Sequence, residues 1–299
     1  MWTFSIDIGG TFIKTTLVKN TMVKEKRLVA TPATNQADLL KLLVELIQVY
    51  QQIEPFQLVG ISVPGAIKDG DTVFHGGAVV CLNGVNLKEK LEAQAAVTVF
   101  VENDAKAAVL GEAWYGNLAD VQNGAAIILG TGVGVGLWLD GTVRKGPHYQ
   151  SGEVSFLIQD RQINGPESFV GVNLSAVRLV KSLAALLKCP ADGSIVFSQL
   201  AEQNNSSATD LFTSYCQQVA LLCFNLQCLL DLEKIVIGGG ISQQPRLIEV
   251  IQVEYQKIFR ISSMTQQTIP QISIEAAQFQ DNANVIGAAK GANIYEVSK

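Results

Sequence analysis

The sequence has few of the residues that build metal centres and disulfide frameworks. Its 299 residues include two histidines and five cysteines, and no two cysteines have Cys-x-x-Cys spacing. An odd number of cysteines in a cytoplasmic chain, without Cys-x-x-Cys spacing, is typical of reduced thiols rather than of a disulfide framework. We therefore expect reduced cysteines and no structural zinc.

Charge and long apolar runs are also scarce. Charged residues make up 16% of the chain and the net charge is -5, whereas a nucleic-acid-binding surface needs clustered Lys and Arg. The longest apolar stretch, 219–232, is interrupted by polar residues, and a membrane span needs about 20 apolar residues. The amino terminus lacks the basic region of a secretion signal. We expect a cytoplasmic protein with no nucleic-acid or membrane partner.

Two glycine-rich turns of one type lie between apolar β-branched runs. Residues 7–11 read Asp-Ile-Gly-Gly-Thr, and residues 129–134 read Leu-Gly-Thr-Gly-Val-Gly. Glycine lets backbone N–H groups approach an anion, and a threonine hydroxyl adds a donor. An ordinary tight hairpin also needs glycine and is the commoner explanation of a single turn, but two matched copies favour phosphate binding. The predicted phosphate-binding residues are Gly9, Gly10, Thr11, Gly130, Thr131, Gly132 and Gly134.

The rest of the chain alternates between strand and helix patterns, which is typical of an α/β fold. A loop-rich segment is predicted over 141–171. Strands are predicted over 58–63, 97–102, 234–237 and 272–276, and helices over 36–51, 85–94, 105–115, 174–187, 208–232, 245–258 and 285–295. Small residues in the last helix predict close packing.

These motifs, in this order, resemble the ROK family of sugar kinases in the actin-like ATPase superfamily, over essentially the whole chain. The two glycine turns resemble the family's phosphate motifs, 235–241 its adenosine motif and 101–105 its catalytic strand end. Residues 62–65 and 151–153 resemble its sugar-side loops.

The resemblance implies an α/β fold with two domains of duplicated ribonuclease-H-like topology. The expected domains are 1–105 with 285–299, and 106–284, and ATP and sugar are expected in the cleft between them. It also implies that the final helix crosses back onto the first domain, and that the protein is a homodimer. Gly65, Asn103, Asp104 and Glu153 are the expected sugar-binding residues.

Asp104 is the candidate general base. A carboxylate at the end of a buried parallel strand is well placed to take a proton from an attacking hydroxyl. The alternative is that Asn103 and Asp104 only cap the helix that follows, since both are favoured cap residues. The two phosphate turns and the surrounding motif favour catalysis.

Asp7 and Lys14 are the candidate charged groups at the first turn. A carboxylate beside phosphates is repulsive unless a cation intervenes, so Asp7 is predicted to face Mg²⁺ through water, with a turn-initiating role as the alternative. Family members often have Lys directly after the motif's threonine, where this chain has Phe12. Lys14 lies two positions after Phe12 and therefore on the same strand face as Phe12. It is a candidate phosphate ligand, and a solvated lysine is the alternative.

The third glycine cluster, Gly238, Gly239 and Gly240, follows an apolar strand. The resemblance implies that its backbone packs against adenosine, and a flexible corner is the alternative.

Phe156 stands where many family members have the zinc-binding histidine, and phenylalanine cannot ligate a metal. This departure points to the zinc-less branch that resembles β-glucoside and N-acetylmannosamine kinases. Glu153 remains able to accept hydrogen bonds from sugar, or is an exposed loop residue.

The sequence therefore predicts an ATP- and Mg²⁺-dependent kinase that phosphorylates the 6-hydroxyl of a hexose or a hexosyl β-glucoside. N-acetylmannosamine, glucose and fructose are the alternative substrates. A sugar-responsive ROK regulator is the alternative from another class. Such regulators carry an amino-terminal DNA-binding domain, for which no room is expected before Asp7.

Overall fold

The computed structural model describes residues 1–68, 71–159, 163 and 165–297. The strands are β1 (Thr3–Ile8), β2 (Phe12–Lys19), β3 (Met22–Ala30), β4 (Leu58–Val63), β5 (Ala66–Lys68), β6 (Thr72–Phe74), β7 (Val85–Asn86), β8 (Thr98–Asn103), β9 (Gly124–Leu129), β10 (Val133–Leu139), β11 (Thr142–Val143), β12 (Lys234–Gly238) and β13 (Ser273–Ala276). The helices are α1 (Gln36–Ile53), α2 (Leu87–Glu92), α3 (Asp104–Tyr115), α4 (Val170–Asn173), α5 (Ala176–Leu187), α6 (Gly193–Glu202), α7 (Ser206–Leu230), α8 (Pro245–Phe259), α9 (Ser263–Thr268) and α10 (Ala283–Val297).

Two five-stranded sheets share one topology. The first has the order β3-β2-β1-β4-β8 and the second β11-β10-β9-β12-β13. In each sheet an antiparallel hairpin is followed by parallel neighbours, so β1, β2 and β4 of the first correspond to β9, β10 and β12 of the second. All six residues of β4 are buried, as expected for a central strand covered on both faces. The predicted duplicated α/β fold is confirmed.

Helices α3 and α10 lie together and link the two sheets. α10 packs on α3 and on the first sheet through β1, β4 and β8, while α3 also packs on β10 of the second sheet. Glycines allow this close approach, because a Cβ on Gly60 would lie 2.3 Å from the Ala288 carbonyl oxygen and one on Gly287 would lie 1.7 Å from that of Ala107. The predicted close packing of the last helix is therefore confirmed. The end of β8 consequently lies near β10 of the second sheet, because α3 begins there and packs on β10.

The predicted helix over 85–94 is wrong at its start. Residues Val85–Asn86 form β7, which pairs with β6 in a small third sheet, and α2 begins at Leu87. The Asn86 side chain accepts the Glu89 N–H at 2.9 Å, so this residue caps the helix rather than lying inside it. Sequence reasoning also missed α6, although Asp192 caps it, and the polar α9. Four residues of the predicted loop-rich segment 141–171 lie outside the described residues.

One described stretch, Val170–Leu187, has the length and apolar composition of a membrane span. It is divided into α4 and α5 by residues 174–175, and the Ser175 side chain caps α5 by accepting the Arg178 N–H at 3.3 Å. Leu179 and Leu183 are buried in the core of the second sheet. These observations identify α5 as a core helix.

Candidate active site

Asn103 and Asp104 lie where β8 ends and α3 begins. The Asn103 side chain accepts the Lys106 N–H at 3.2 Å and so caps α3. Asp104 Oδ1 accepts the Ala105 N–H at 2.7 Å and an Asn103 Nδ2–H at 2.9 Å. The capping interpretation applies to Asn103, whose side chain caps the helix. The general-base interpretation applies to Asp104, because its Oδ2 has no protein donor among the described residues.

Three carboxylates from different parts of the chain act on one another at Asp104. Burial raises the pKa of the Asp104 carboxyl to about 6, the Ala105 N–H opposes this rise, and the charges of Asp7 and Glu153 add to it. The positive charge of Lys106 lowers the pKa of Asp104. A carboxyl with a pKa near neutrality is suited to general base catalysis.

Gly65 is held to this centre through Asn103, whose Nδ2 donates to the Gly65 carbonyl oxygen at 3.0 Å. Gly65 has φ +103°, and a Cβ there would lie 2.5 Å from the Phe74 carbonyl oxygen. Glycine is therefore required at this turn. Gly65, Asn103 and Asp104 form one hydrogen-bonded chain, although the Asn103 side chain uses its oxygen and both amide hydrogens on protein partners.

The first turn is fixed by bonds that leave Asp7 in a defined position. The Gly9 N–H donates to the Phe12 carbonyl oxygen at 3.0 Å, and a Cβ on Gly10 would lie 2.5 Å from the Ala78 Cβ. Asp7 Oδ1 accepts from Ser62 Oγ at 2.7 Å and from Asn284 Nδ2 at 3.3 Å. Asp7 therefore connects β1, β4 and the start of α10.

Lys14 bonds to the segment that leads into α10. Its ammonium donates to the Asp281 carbonyl oxygen and lies 3.7 Å from that residue's Oδ2, which Lys26 binds at 2.6 Å. Phe12 is 55% exposed and Thr11 is exposed at the turn. The Lys14 side chain is thus 15% exposed and bound to Asp281 rather than solvated, and its role toward phosphate stays a prediction.

The second turn lies against the start of α3. The Gly130 N–H donates to the Gly132 carbonyl oxygen at 3.0 Å. A Cβ on Gly134 would lie 3.0 Å from the Ala105 Cβ, and one on Gly136 would lie 2.2 Å from the Ala105 carbonyl oxygen. These glycines let β10 approach α3 directly beside Asp104. Gly134 therefore has a packing role, and Thr131 is exposed at the turn.

The third glycine cluster lies beside the second turn. Gly238 pairs with Ile128 at the end of β12, and Gly239, with φ +98°, has no room for a Cβ because one would lie 2.1 Å from the Leu129 carbonyl oxygen. No atom lies within 4 Å of a Cβ built on Gly240 or Gly130. Backbone packing explains Gly239, whereas Gly240 and Gly130 face open space.

Glu153 follows a glycine that is pressed against β10. Gly152 has φ +89°, and a Cβ there would lie 1.9 Å from the Val135 carbonyl oxygen. The Ser155 hydroxyl then binds both the N–H and the carbonyl oxygen of Val133, at 3.0 and 2.8 Å. The loop carrying exposed Glu153 is thereby fixed to the second turn. Phe156 is 69% exposed.

Sequence reasoning missed several residues that hold this site together. Glu102 is buried, and its Oε2 lies 2.7 Å from Nζ of Lys145. Lys106 is 2% exposed beside Asp104, and its burial had no local signal. Ser62 and Glu102 lie within the stretches 62–65 and 101–105 that carry the family resemblance, but no role was predicted for either.

The described part of the chain has no group of three His, Cys, Asp or Glu side chains that would hold a metal ion. Mg²⁺ in phosphoryl-transfer sites needs only one or two protein carboxylates, because phosphates and waters supply the other ligands. Asp7, with Oδ1 fixed by two donors beside a glycine turn, fits that requirement.

Comparison with known proteins gives consistent results. The sequence matches the ROK family over residues 3–293. It is 28% identical to a beta-glucoside kinase of Listeria monocytogenes, with 77% of each chain covered, and 28% identical to an N-acetylmannosamine kinase of Vibrio vulnificus, with 97% of each covered. The structure superposes with a TM-score of 0.81 on a ROK family glucokinase from Streptomyces griseus in complex with glucose and AMPPNP, at 25% identity over 98% of this chain and 100% of that one.

Proposed function

The chain belongs to the ROK family and is a sugar kinase, and we propose that it transfers the γ-phosphoryl group of ATP to the 6-hydroxyl of a hexose or a hexosyl β-glucoside. The observation that carries this proposal is Asp104. Its carboxyl has a pKa of about 6, one oxygen is held by the Ala105 N–H, and the second glycine turn packs beside it.

Asp104 accepts the proton of the attacking 6-hydroxyl. The sugar oxygen forms a bond to the γ-phosphorus while the bond from that phosphorus to the oxygen bridging the β-phosphate breaks, and ADP leaves. The proton then passes from Asp104 to solvent. At neutral pH most Asp104 carboxyls are ionised, because their pKa of about 6 lies below the ambient pH.

ATP binds along the glycine clusters in this proposal. The N–H groups and hydroxyls of the two turns donate to phosphate oxygens, with adenosine on Gly238, Gly239 and Gly240. Gly240 and Gly130 face open space, which supports a ligand at these positions. Asp7 holds Mg²⁺ through water, and the ion supplies charge neutralisation for the phosphates. No zinc is expected.

Gly65, Asn103 and Glu153 position the sugar. Glu153 is exposed and electrostatically coupled to Asp104, which supports a role in accepting hydrogen bonds from sugar hydroxyls. The exposed Phe156 favours a substrate with an apolar substituent or a second ring next to the hexose. N-acetylmannosamine is the second candidate substrate, since the relative from Vibrio vulnificus is named an N-acetylmannosamine kinase and its alignment covers 97% of this chain.

The domains in this proposal are 1–105 with 285–299, and 106–284, and they close on the substrates to exclude water. The packing of α10 on both α3 and the first sheet supports chain crossings between the two domains near residues 105 and 284.

A homodimer and a cytoplasmic location are part of the same proposal. Light scattering of the purified chain tests the dimer.

The experiment that tests this function measures ADP release with glucose, fructose, N-acetylmannosamine, cellobiose, gentiobiose and aryl β-glucosides. We expect turnover with at least one sugar, and ³¹P–¹H correlation spectra that place the phosphate on the C6 oxygen. Inorganic phosphate release without sugar is the background control. Phosphate at another position would refute the 6-hydroxyl assignment, and no turnover with any of them would refute the substrate class.

A further inference from the structure

Asp7 lies on a face of the first sheet that α10 covers. Ser5 and Asp7 share one face of β1, and Ser62, the partner of Asp7 in the parallel ladder with β4, lies on the same face. The Ser5 hydroxyl is buried and donates to the Val285 carbonyl oxygen at 2.6 Å. The start of α10 is therefore fixed to β1 close to Asp7.

Two donors from outside β1 hold a single oxygen of Asp7. The buried Ser62 Oγ donates to Oδ1 at 2.7 Å, and Asn284 Nδ2 donates to the same oxygen at 3.3 Å. Among the described residues Oδ2 has no protein donor, and no backbone N–H at the start of α10 donates to Asp7. Asp7 is therefore not a cap of α10, and its carboxylate is held by one oxygen while the other remains for a ligand.

We propose that Ser62 and Asn284 are positioning residues whose hydrogen bonds fix the Asp7 carboxylate for binding the Mg²⁺ ion of Mg–ATP. This inference rests on the proposed function, in which Asp7 holds the ion through water. Carboxylates at metal sites are themselves held by hydrogen bonds, and the loss of such a partner lowers metal affinity. The turn after Asp7 does not need either donor, because the Gly9 N–H closes it on the Phe12 carbonyl oxygen.

Calorimetric binding of AMPPNP tests this inference without turnover. The dissociation constant is measured with excess MgCl₂ and with excess EDTA, and the ratio of the EDTA value to the MgCl₂ value reports the coupling between the ion and the nucleotide on the protein. We expect Ser62→Ala and Asn284→Ala each to lower this ratio about three- to tenfold, toward the ratio of Asp7→Asn.

Matched controls remove equivalent hydrogen bonds elsewhere on β1. Ser5→Ala removes a buried hydroxyl that binds α10, and Asn293→Ala removes an amide that donates from α10 to Thr3 Oγ1 at 3.0 Å. Neither side chain is bonded to Asp7, so we expect both variants to keep the ratio of the unsubstituted protein. A purely structural role of Ser62 and Asn284 instead predicts that their loss weakens AMPPNP binding equally with and without Mg²⁺.

An unchanged ratio in Ser62→Ala and Asn284→Ala, together with a lowered ratio in Asp7→Asn, overturns the inference and leaves the proposed function intact. An unchanged ratio in Asp7→Asn refutes the proposed Mg²⁺ role of Asp7 and the inference with it. Failure of AMPPNP to bind the unsubstituted protein refutes the proposed function and the inference that rests on it. Should one positioning variant not fold, the other decides the inference by the same criterion.

Discussion

Lys145 and Glu102 form an ion pair, with 2.7 Å between Nζ and Oε2, that joins the loop after β11 to the end of β8. Glu102 is buried, and its other oxygen accepts the Asn103 N–H at 3.0 Å. The Lys145 side chain is 34% exposed. This pair ties the loop that follows β11 to the residue preceding Asn103 and Asp104.

Lys145→Met is expected to lower the free energy of unfolding by about 1 to 2 kcal/mol, because it leaves the buried Glu102 carboxylate without its cation. Urea unfolding measures the change. The double variant Glu102→Gln/Lys145→Met is expected to recover most of the loss, since no buried charge remains. A double variant as unstable as the sum of the single ones would show that the two side chains do not act as a pair.

Asp104→Asn is expected to lower kcat by about 10² to 10⁴, the range typical of a lost acid or base, while sugar and ATP binding stay within a few-fold. Steady-state kinetics and calorimetric binding separate the two effects. Near-normal turnover would remove Asp104 from the mechanism.

The same substitution is expected to stabilise the protein at pH 7.5 by about 1 to 3 kcal/mol. The folded-state pKa of Asp104, about 6, lies above the ordinary value of 3.8, so the folded state holds this proton more tightly than the unfolded one. The stabilising contribution of this group is present below pH 4 and is lost as the pH rises through 6. Unfolding free energies of both proteins are measured at pH 4 and 7.5. A gap that does not grow with pH contradicts the raised pKa.

Gly240→Ala is expected to leave stability unchanged and to raise KM for ATP about tenfold, equivalent to a loss of about 1.4 kcal/mol, because its Cβ enters the space assigned to the nucleotide. Gly193→Ala, at the start of α6, is the matched control, since its Cβ also meets nothing within 4 Å. It should change neither quantity. Equal KM values in the two variants would place ATP elsewhere.

The turns and the regular elements could be predicted because their signals are local. Glycine and threonine between apolar runs predict the two hairpins, apolar periodicity predicts α1, and the predicted bounds of α1, α7 and α10 lie within a few residues of the observed ones. The start of α2 was misplaced because β-pairing of Val85–Asn86 with β6 overrides a helical pattern there.

The sequence by itself determined where the strands run and that polar residues stand at their ends. Local patterns are sufficient for this, since backbone conformation and apolar burial follow from neighbouring residues. Only the tertiary structure decided their partners. The Asn284 amide donates a hydrogen bond to Asp7 although the two residues are 277 positions apart, and Lys14 donates one to Asp281 across 267 positions. Packing of α3 and α10 between the sheets sets those distances and the burial of Lys106. Such long-range contacts depend on how distant segments fold together, a property that no local pattern specifies.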